Sequence, residues 1–131
     1  MTVVVGYIPN EYGEAALIAG IEEARRRQTG IVVVNATRGD TLVDERFIGA
    51  SGTSAVEQRL ASLGIVHEFR QTMGGDVAED LLIVAREVSA EVIVIGVRHR
   101  TPVGKMLMGS VAQKVLLDAQ CPVLAVKPQR E

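Results

Sequence analysis

The sequence contains one cysteine, no tryptophan and few aromatic residues of any kind. Cys121 has no second cysteine to pair with, which excludes an internal disulfide and favours a reducing compartment. Aromatic residues make up 3% of the chain, which leaves little material for stacking nucleic-acid bases or sugar rings. We therefore expect neither a disulfide-stabilised scaffold nor a protein that binds by aromatic stacking.

Long hydrophobic runs and an excess of positive charge are missing as well. No segment approaches the ~20 consecutive apolar residues of a membrane span, and the first residues do not resemble a signal peptide. The 14 lysines and arginines are balanced by 16 acidic residues, which argues against a basic surface for nucleic acid. We expect a cytoplasmic protein with no membrane partner and no nucleic-acid partner.

The sequence does contain short runs of valine and isoleucine that alternate with longer amphipathic stretches. Its 131 residues, of which 47% are hydrophobic, fit one domain that spans residues 1–131. Strands are predicted at 2–6, 31–34, 65–71, 91–96 and 122–126, and helices at 14–28, 54–63, 76–90 and 110–119. This βαβαβαβαβ order predicts an α/β fold with a doubly wound, five-stranded, mostly parallel sheet and helices on both faces.

Two segments between these elements need a separate interpretation. Gly30 stands where a glycine commonly ends a helix, so we predict that it caps the first helix. Residues 37–53 are polar and glycine-containing, and they form a long connection for a compact domain. We interpret them as a mobile flap or a partly ordered insert.

Ligands of doubly wound sheets bind where the carboxyl ends of the strands meet. In this chain that edge should bring together residues 6–10, 35–37 and 96–110. Gly109 and Ser110 open the last helix, whose backbone N–H groups and dipole favour a phosphate or another anion. The same dipeptide also begins many helices purely as a cap, so the pattern leaves both interpretations open.

Signals for catalysis or for a metal site are weak. Gly104-Lys105 does not complete a phosphate-binding P-loop, and the residues after Ser110 do not form the turn that exposes a nucleophile. His67 and His99 lack the spacing of metal ligands, so we expect no structural metal and no enzymatic activity. A weaker alternative is a nucleotide-hydrolysing or self-phosphorylating enzyme that acts through Ser110.

The residues from Gly96 onward resemble the universal stress protein family. Nucleotide-binding members carry Gly-x2-Gly-x9-Gly-Ser/Thr between the fourth strand and the fourth helix, and here Gly96 and Gly109-Ser110 occupy the outer positions. The run Cys121-Pro122-Val123-Leu124-Ala125-Val126 is similar to the ending of that family, as is the Gly75-Asp76 pair before the third helix. The resemblance extends over nearly the whole chain.

This resemblance implies a cytoplasmic homodimer, paired through the fifth strand, with an adenine-nucleotide site. The ligand would be ATP or AMP, with Mg²⁺, held at the carboxyl edge of the sheet. Glycines and the first turn of the last helix would contact phosphates, Arg98 and His99 would add charge, and the ends of the first two strands would border the adenosine. The expected site residues are Gly6, Tyr7, Ile8, Asn35, Ala36, Gly96, Arg98, His99, Gly109, Ser110 and Val111.

Two departures from the family pattern leave a second hypothesis open. His99 replaces the second glycine, flanked by Arg98 and Arg100, which are either a solvated loop or a clamp for an anion. The first loop, residues 6–10, has no aspartate where nucleotide-binding members place one. Losing that hydrogen-bond acceptor would cost about 1–3 kcal/mol of binding. The alternative is a dimeric stress-response interaction module with a degenerate, non-binding pocket.

Overall fold

The fold alternates strands and helices along the whole described chain. A computed structural model describes residues 2–37, 48–97 and 109–128. Its elements are β1 (Thr2–Gly6), α1 (Glu11–Arg27), β2 (Gly30–Thr37), α2 (Ala50–Ser62), β3 (His67–Met73), α3 (Val77–Glu87), β4 (Ala90–Gly96), α4 (Ser110–Asp118) and β5 (Val123–Val126). The predicted order of five strands and four helices is confirmed.

The central strands are apolar along their length because both faces of the sheet are covered. In β1, Val3 and Val5 pack on one face and Val4 on the other, and all three are fully buried. Helices α1 and α2 cover the face that carries Val3, and α3 and α4 cover the face that carries Val4. Strands covered in this way read as continuous hydrophobic runs, without the alternation of a half-exposed strand.

The strands pair in the order β3-β2-β1-β4-β5, and every pairing is parallel. The chain builds outward from β1 through β2 to β3 and then crosses to the other side of β1, where β4 and β5 complete the sheet. Strand order therefore reverses between β1 and β4. In sheets of this type the crevice beyond that point is where ligands bind.

The predicted cap of α1 is wrong by two residues. Gln28, not Gly30, takes the left-handed conformation that ends the helix, with φ 53° and ψ 49°. Gly30 begins β2 instead, and a Cβ there would lie 2.9 Å from the Val66 carbonyl oxygen. The glycine is needed for close packing against the chain before β3, and its position next to the helix end resembled a cap.

The polar insert predicted at 37–53 is also shorter than expected. Strand β2 continues to Thr37, which pairs with Met73, so residues 35–37 belong to the strand and do not follow it. At the other end, Ile48 is buried and α2 begins at Ala50. The rest of the predicted insert, residues 38–47, lies outside the described residues.

Within the described ranges, none of the helices is both long enough and apolar enough to span a bilayer.

Candidate functional site

The first turn of α4 lies at the carboxyl edge of the sheet. Gly109 precedes it with φ 81° and ψ 149°, a conformation that is essentially restricted to glycine. Gly109 has no side chain to accept a hydrogen bond from the helix, and both Gly109 and Ser110 are exposed. The sequence prediction that Gly109-Ser110 opens the last helix is confirmed, and the arrangement suits an anionic ligand.

An ionic contact joins the middle of α4 to the start of α3. Lys114 Nζ lies 3.6 Å from Asp76 Oδ1 and 3.5 Å from Glu79 Oε2. Asp76 is the N-cap of α3, where its carboxylate accepts a hydrogen bond from the N–H of Glu79. That bond and, to a smaller degree, Lys114 hold the pKa of Asp76 below its usual value. The acidic start of α3 is thus partly neutralised by α4 itself.

The loop after β1 is tied into the fold at each of its ends. The N–H of Tyr7 donates to the Val34 carbonyl at 2.8 Å, which extends the pairing of β1 with β2. Asn10 Oδ1 accepts from the N–H groups of Tyr12 at 2.9 Å and Gly13 at 3.1 Å, and so caps α1. The polar residue that stands in this loop is therefore already used to begin a helix.

Gly96 ends β4 against the first turn of α1. A Cβ at Gly96 would collide with the backbone of Tyr12, including its carbonyl oxygen. We predicted that the glycines, Gly96 among them, contact phosphates, and the structure shows that Gly96 permits close approach of α1. Gly6, at the end of the neighbouring β1, has Leu81 and Ile95 beside it, with 3.3 Å from a Cβ position to Leu81 Cδ2.

Tyr7 is half-buried against the core cluster to which α1 and α2 contribute. Burial raises the pKa of its phenol, the nearby Glu14 carboxylate raises it further, and Arg59 opposes both effects. Glu14 and Arg59 form an ion pair with each other that links the two helices. Tyr7 thus packs against the core cluster that α1 and α2 cover, beside the predicted adenosine site.

Asn35 and Ala36, predicted to border the adenosine, lie inside β2 and are 0% and 5% exposed. The Asn35 side chain bonds to the backbone of Tyr7 and Ile48 and to Gln71. Its role at the edge of the sheet is therefore to hold the loop that contains Tyr7. A direct contact between Asn35 and a ligand stays a prediction.

The structure brings several predicted residues to one edge of the sheet and leaves two undescribed. Gly6 and Gly96 end the adjacent strands β1 and β4, and Tyr7 and Ile8 follow Gly6 as half-buried residues. At the start of α4, Val111 packs against the core. Arg98 and His99, which were expected to add charge, lie outside the described residues.

Sequence reasoning missed the hydrogen bonds that organise this edge. Asn35 and Gln71 stand opposite each other in β2 and β3, and both bond to the backbone of Ile48. The available signal was an asparagine directly after four β-branched residues, which we interpreted as the end of the strand. A polar residue in that place also fits a strand when its hydrogen bonds are satisfied inside the sheet.

A groove of about 320 Å³ lies at the opposite, amino end of the sheet and is lined in part by Cys121 and Arg86. Cys121 is a half-buried free cysteine, and burial raises the pKa of its thiol. A raised thiol pKa lowers reactivity, because the thiolate is the nucleophile. The groove is remote from the carboxyl edge where the predicted site residues gather.

A profile of the universal stress protein family matches residues 1–127. The chain belongs to the universal stress protein family. A universal stress protein of Mycolicibacterium smegmatis is 52% identical over 126 residues, which cover 96% of this chain and 97% of that protein.

Solved structures of the family have the same fold. A universal stress protein from Archaeoglobus fulgidus superimposes with a TM-score of 0.81 at 31% identity, covering 97% of this chain and 98% of that one. A universal stress protein from Archaeoglobus fulgidus in complex with dAMP superimposes with a TM-score of 0.72 at 27% identity, with the same coverage. The resemblance and the fold class predicted from the sequence are confirmed.

Proposed function

We propose that this protein binds an adenine nucleotide, ATP or AMP, at the carboxyl edge of its sheet. The observation that carries the proposal is the Archaeoglobus fulgidus relative solved with dAMP, which is 27% identical over nearly its whole length. In this chain the phosphates would lie against the first turn of α4, and the adenosine against the loop after β1. The nucleotide would act as a regulatory ligand.

The start of α4 supports the position of the phosphates. Backbone N–H groups in the first turn of a helix have no partner within the helix, and the helix dipole favours negative charge there. Ser110 adds an exposed hydroxyl at the same place. The conformation of Gly109 sets the direction in which the chain enters the helix, so the orientation of these N–H groups depends on it.

The region after β1 supports the position of the adenosine. Gly6 ends the strand with Leu81 and Ile95 packed beside it, and the half-buried Tyr7 and Ile8 supply apolar surface next to it. The ribose and base would be held by backbone groups and apolar contacts here, because the side-chain oxygen of Asn10 caps α1. This is a weaker set of contacts than one that includes an aspartate.

Magnesium would enter with the nucleotide and not through a dedicated protein site. Mg²⁺ is commonly held by substrate phosphates, water and one or two carboxylates. In the part of the chain that the structure describes, no three His, Cys, Asp or Glu side chains cluster closely enough to hold a metal ion. That the protein holds no structural metal stays a prediction.

Calorimetric titration with AMP and with ATP, each with and without Mg²⁺, tests the binding proposal. Gly109→Ala forces a residue with a Cβ into a glycine-only conformation, which costs about 1–3 kcal/mol or displaces the start of α4. We expect at least a tenfold loss of nucleotide affinity.

Gly64→Ala is the matched control, because Gly64 also has a positive φ, 71°, but follows α2 at the far end of the sheet. It should leave affinity within twofold of the wild type. Absence of binding by the wild-type protein up to millimolar nucleotide would refute the proposal.

We assign no catalytic activity to the site. Among the described residues, Ser110 begins a helix and His67 lies in β3, with its Nδ1 bonded to the Ile65 carbonyl at 2.9 Å, so neither is positioned to activate the other. Incubation with ATP and measurement of released phosphate tests this. Hydrolysis that disappears in Ser110→Ala would contradict it and support the enzymatic alternative.

A homodimer paired through β5 is the second part of the proposal. Strand β5 is an outer strand of the sheet and contains only Val123, Leu124, Ala125 and Val126. The opposite outer strand, β3, carries an ionic cluster in which Arg70 bonds to Glu68 and Glu87. Charged outer strands resist pairing, whereas apolar ones favour it. Exposed Leu116 and Leu117 on α4 extend the apolar surface beside β5.

The competing hypothesis is a dimeric interaction module whose pocket binds nothing. The observation that favours it is the first loop, whose polar side chain is used to cap α1. Ultraviolet absorbance of the supernatant from denatured, freshly purified protein distinguishes the two. A nucleotide carried through purification excludes this competing hypothesis.

We place the protein in the cytoplasm, without membrane or nucleic-acid partners. The net charge of −2 and the free Cys121 support this location. Fractionation of cells that express the protein tests it, and recovery with membranes or with nucleic acid would contradict it.

A further inference from the structure

Asn35 connects three separate parts of the chain at the carboxyl edge. It is 0% exposed, and its Nδ2 donates to the carbonyl oxygen of Tyr7 at 2.9 Å. Its Oδ1 accepts from the N–H of Ile48 at 3.2 Å and from Gln71 Nε2 at 3.0 Å. One buried side chain therefore holds the loop after β1, the residue before the α2 cap and the outer strand β3.

Gln71 completes the connection from the neighbouring strand. It stands opposite Asn35 in the register of β2 and β3. Its Nε2 donates both to Asn35 and, at 2.9 Å, to the carbonyl oxygen of Ile48. The N–H and the carbonyl of Ile48 are thus held by two side chains, and Ile48 itself is 3% exposed. We call these four residues, Tyr7, Asn35, Ile48 and Gln71, the rim junction.

A junction of this kind fixes geometry more than it adds stability. A buried amide is costly unless its hydrogen bonds are satisfied, and an apolar residue of similar size would fill the same space without that requirement. The hydrogen bonds of Asn35 also have defined directions, and two of them end on backbone groups beside the predicted adenosine site. Both backbone groups of Tyr7 bond to β2: its N–H donates to the Val34 carbonyl, and its carbonyl accepts from the Asn35 side chain.

We infer that Asn35 is a positioning residue for the adenosine end of the nucleotide site, which rests on the function proposed above. It acts through Tyr7 and Ile48, whose backbone groups its side chain holds by hydrogen bonds. Replacing it should weaken ligands that contain adenosine and leave binding of the bare phosphate chain at α4 unchanged.

The test compares Asn35→Leu with Thr37→Val. Thr37 is also 0% exposed and lies on the same face of β2, but its hydroxyl bonds to the Thr72 carbonyl. We expect Asn35→Leu to lower the affinities for AMP and adenosine at least tenfold and the affinity for inorganic triphosphate less than twofold. Thr37→Val should change all three less than twofold. Equal losses of affinity in Asn35→Leu and Thr37→Val would overturn the inference. So would a loss of triphosphate affinity in Asn35→Leu that equals its loss of AMP affinity.

Hydrogen exchange in the absence of ligand tests the junction independently of binding. We expect the Ile48 amide to exchange at least tenfold faster in Asn35→Leu than in Thr37→Val, and an unchanged rate would overturn the inference. If the wild-type protein binds no nucleotide, the proposed function fails, while this measurement still decides whether the junction exists.

Gln71→Leu is the second variant, for the case that Asn35→Leu does not fold. Gln71 is exposed on the outer strand, and its replacement leaves the bond from Asn35 to Tyr7 intact. We expect faster exchange at Ile48 and at least a threefold loss of AMP affinity relative to Thr37→Val. No change in either measurement would overturn the inference.

Discussion

At the residue scale, Asp76 shows how one carboxylate makes stability depend on pH. The N–H of Glu79 and then Lys114 favour its ionised form, so its pKa in the folded protein lies below the usual 3.8. A carboxyl group with a lowered pKa stabilises the fold above its unfolded pKa. That contribution is lost as the pH falls through the folded pKa.

We therefore predict a pH-dependent difference between the wild type and Asp76→Asn. The difference in free energy of unfolding should be constant near neutral pH and should shrink as the pH falls below 3.8, because a protonated aspartate resembles asparagine. Urea denaturation at a series of pH values measures it. Lys114→Met should reduce the difference without abolishing it. The backbone N–H of Glu79, which this variant retains, makes the larger contribution to the lowered pKa of Asp76. A difference that persists at the acid limit would contradict the prediction.

Residues of the candidate site were predictable to different degrees. Gly109 and Ser110 follow a strand and begin a helix, and their spacing from Gly96 made them recognisable. The role of Asn35 was not predictable, because Tyr7, Ile48 and Gln71, to which its side chain bonds, lie 13 to 36 positions away in sequence. Only the folded sheet brings them together.

At the scale of secondary-structure elements, the contact between α1 and β4 depends on the absence of a side chain. Gly96→Ala would place a methyl group against the Tyr12 carbonyl and push the two elements apart. We predict a loss of about 1–3 kcal/mol in the free energy of unfolding, the usual cost of overpacking. Chemical denaturation followed by circular dichroism measures it.

Gly49→Ala is the control for this prediction. Gly49 is exposed, and a Cβ there meets nothing within 4 Å. The change should cost clearly less than Gly96→Ala, although alanine is a poorer N-cap for α2 than glycine. Equal losses for the two variants would show that close packing of α1 against β4 is unimportant.

The existence of each element was predictable from hydrophobic periodicity, whereas some ends were not. Strand β2 was predicted to stop at Val34 because polar residues follow, yet Asn35 and Thr37 continue the pairing with β3. Helix α2 starts four residues before its predicted start, at Ala50, among small residues that carry little periodic signal. Where tertiary hydrogen bonds fix the end of a strand or helix, the local sequence carries no pattern that predicts it.

At the scale of the whole molecule, the alternation of strands and helices predicted the class of fold, which the structure confirms. It also predicted that a ligand would bind at the carboxyl edge of the sheet. The position of each strand in the sheet was not specified in advance, because all four crossovers look alike in sequence. The observed order puts β3 and β5 on the outside. That order makes the two borders of the sheet chemically different.

We predict that Ala125→Lys converts the proposed dimer to a monomer. Ala125 is exposed on β5, and a lysine there would place two like charges close together across a paired β5 edge. Light scattering at micromolar concentration measures the mass. Met73→Lys adds the same charge to an exposed position on β3 and should leave the mass unchanged. A monomeric wild type, or a dimer in Ala125→Lys, would contradict the prediction.

The ionic cluster around Arg70 has a consequence for how far such assembly can proceed. Two sheets joined along β5 would form one continuous sheet of ten strands, and each outer border would then be a copy of β3. A third molecule would meet charged side chains at both ends. Growth by strand addition would therefore stop at two copies, and this protein would be protected from forming fibres even at high concentration.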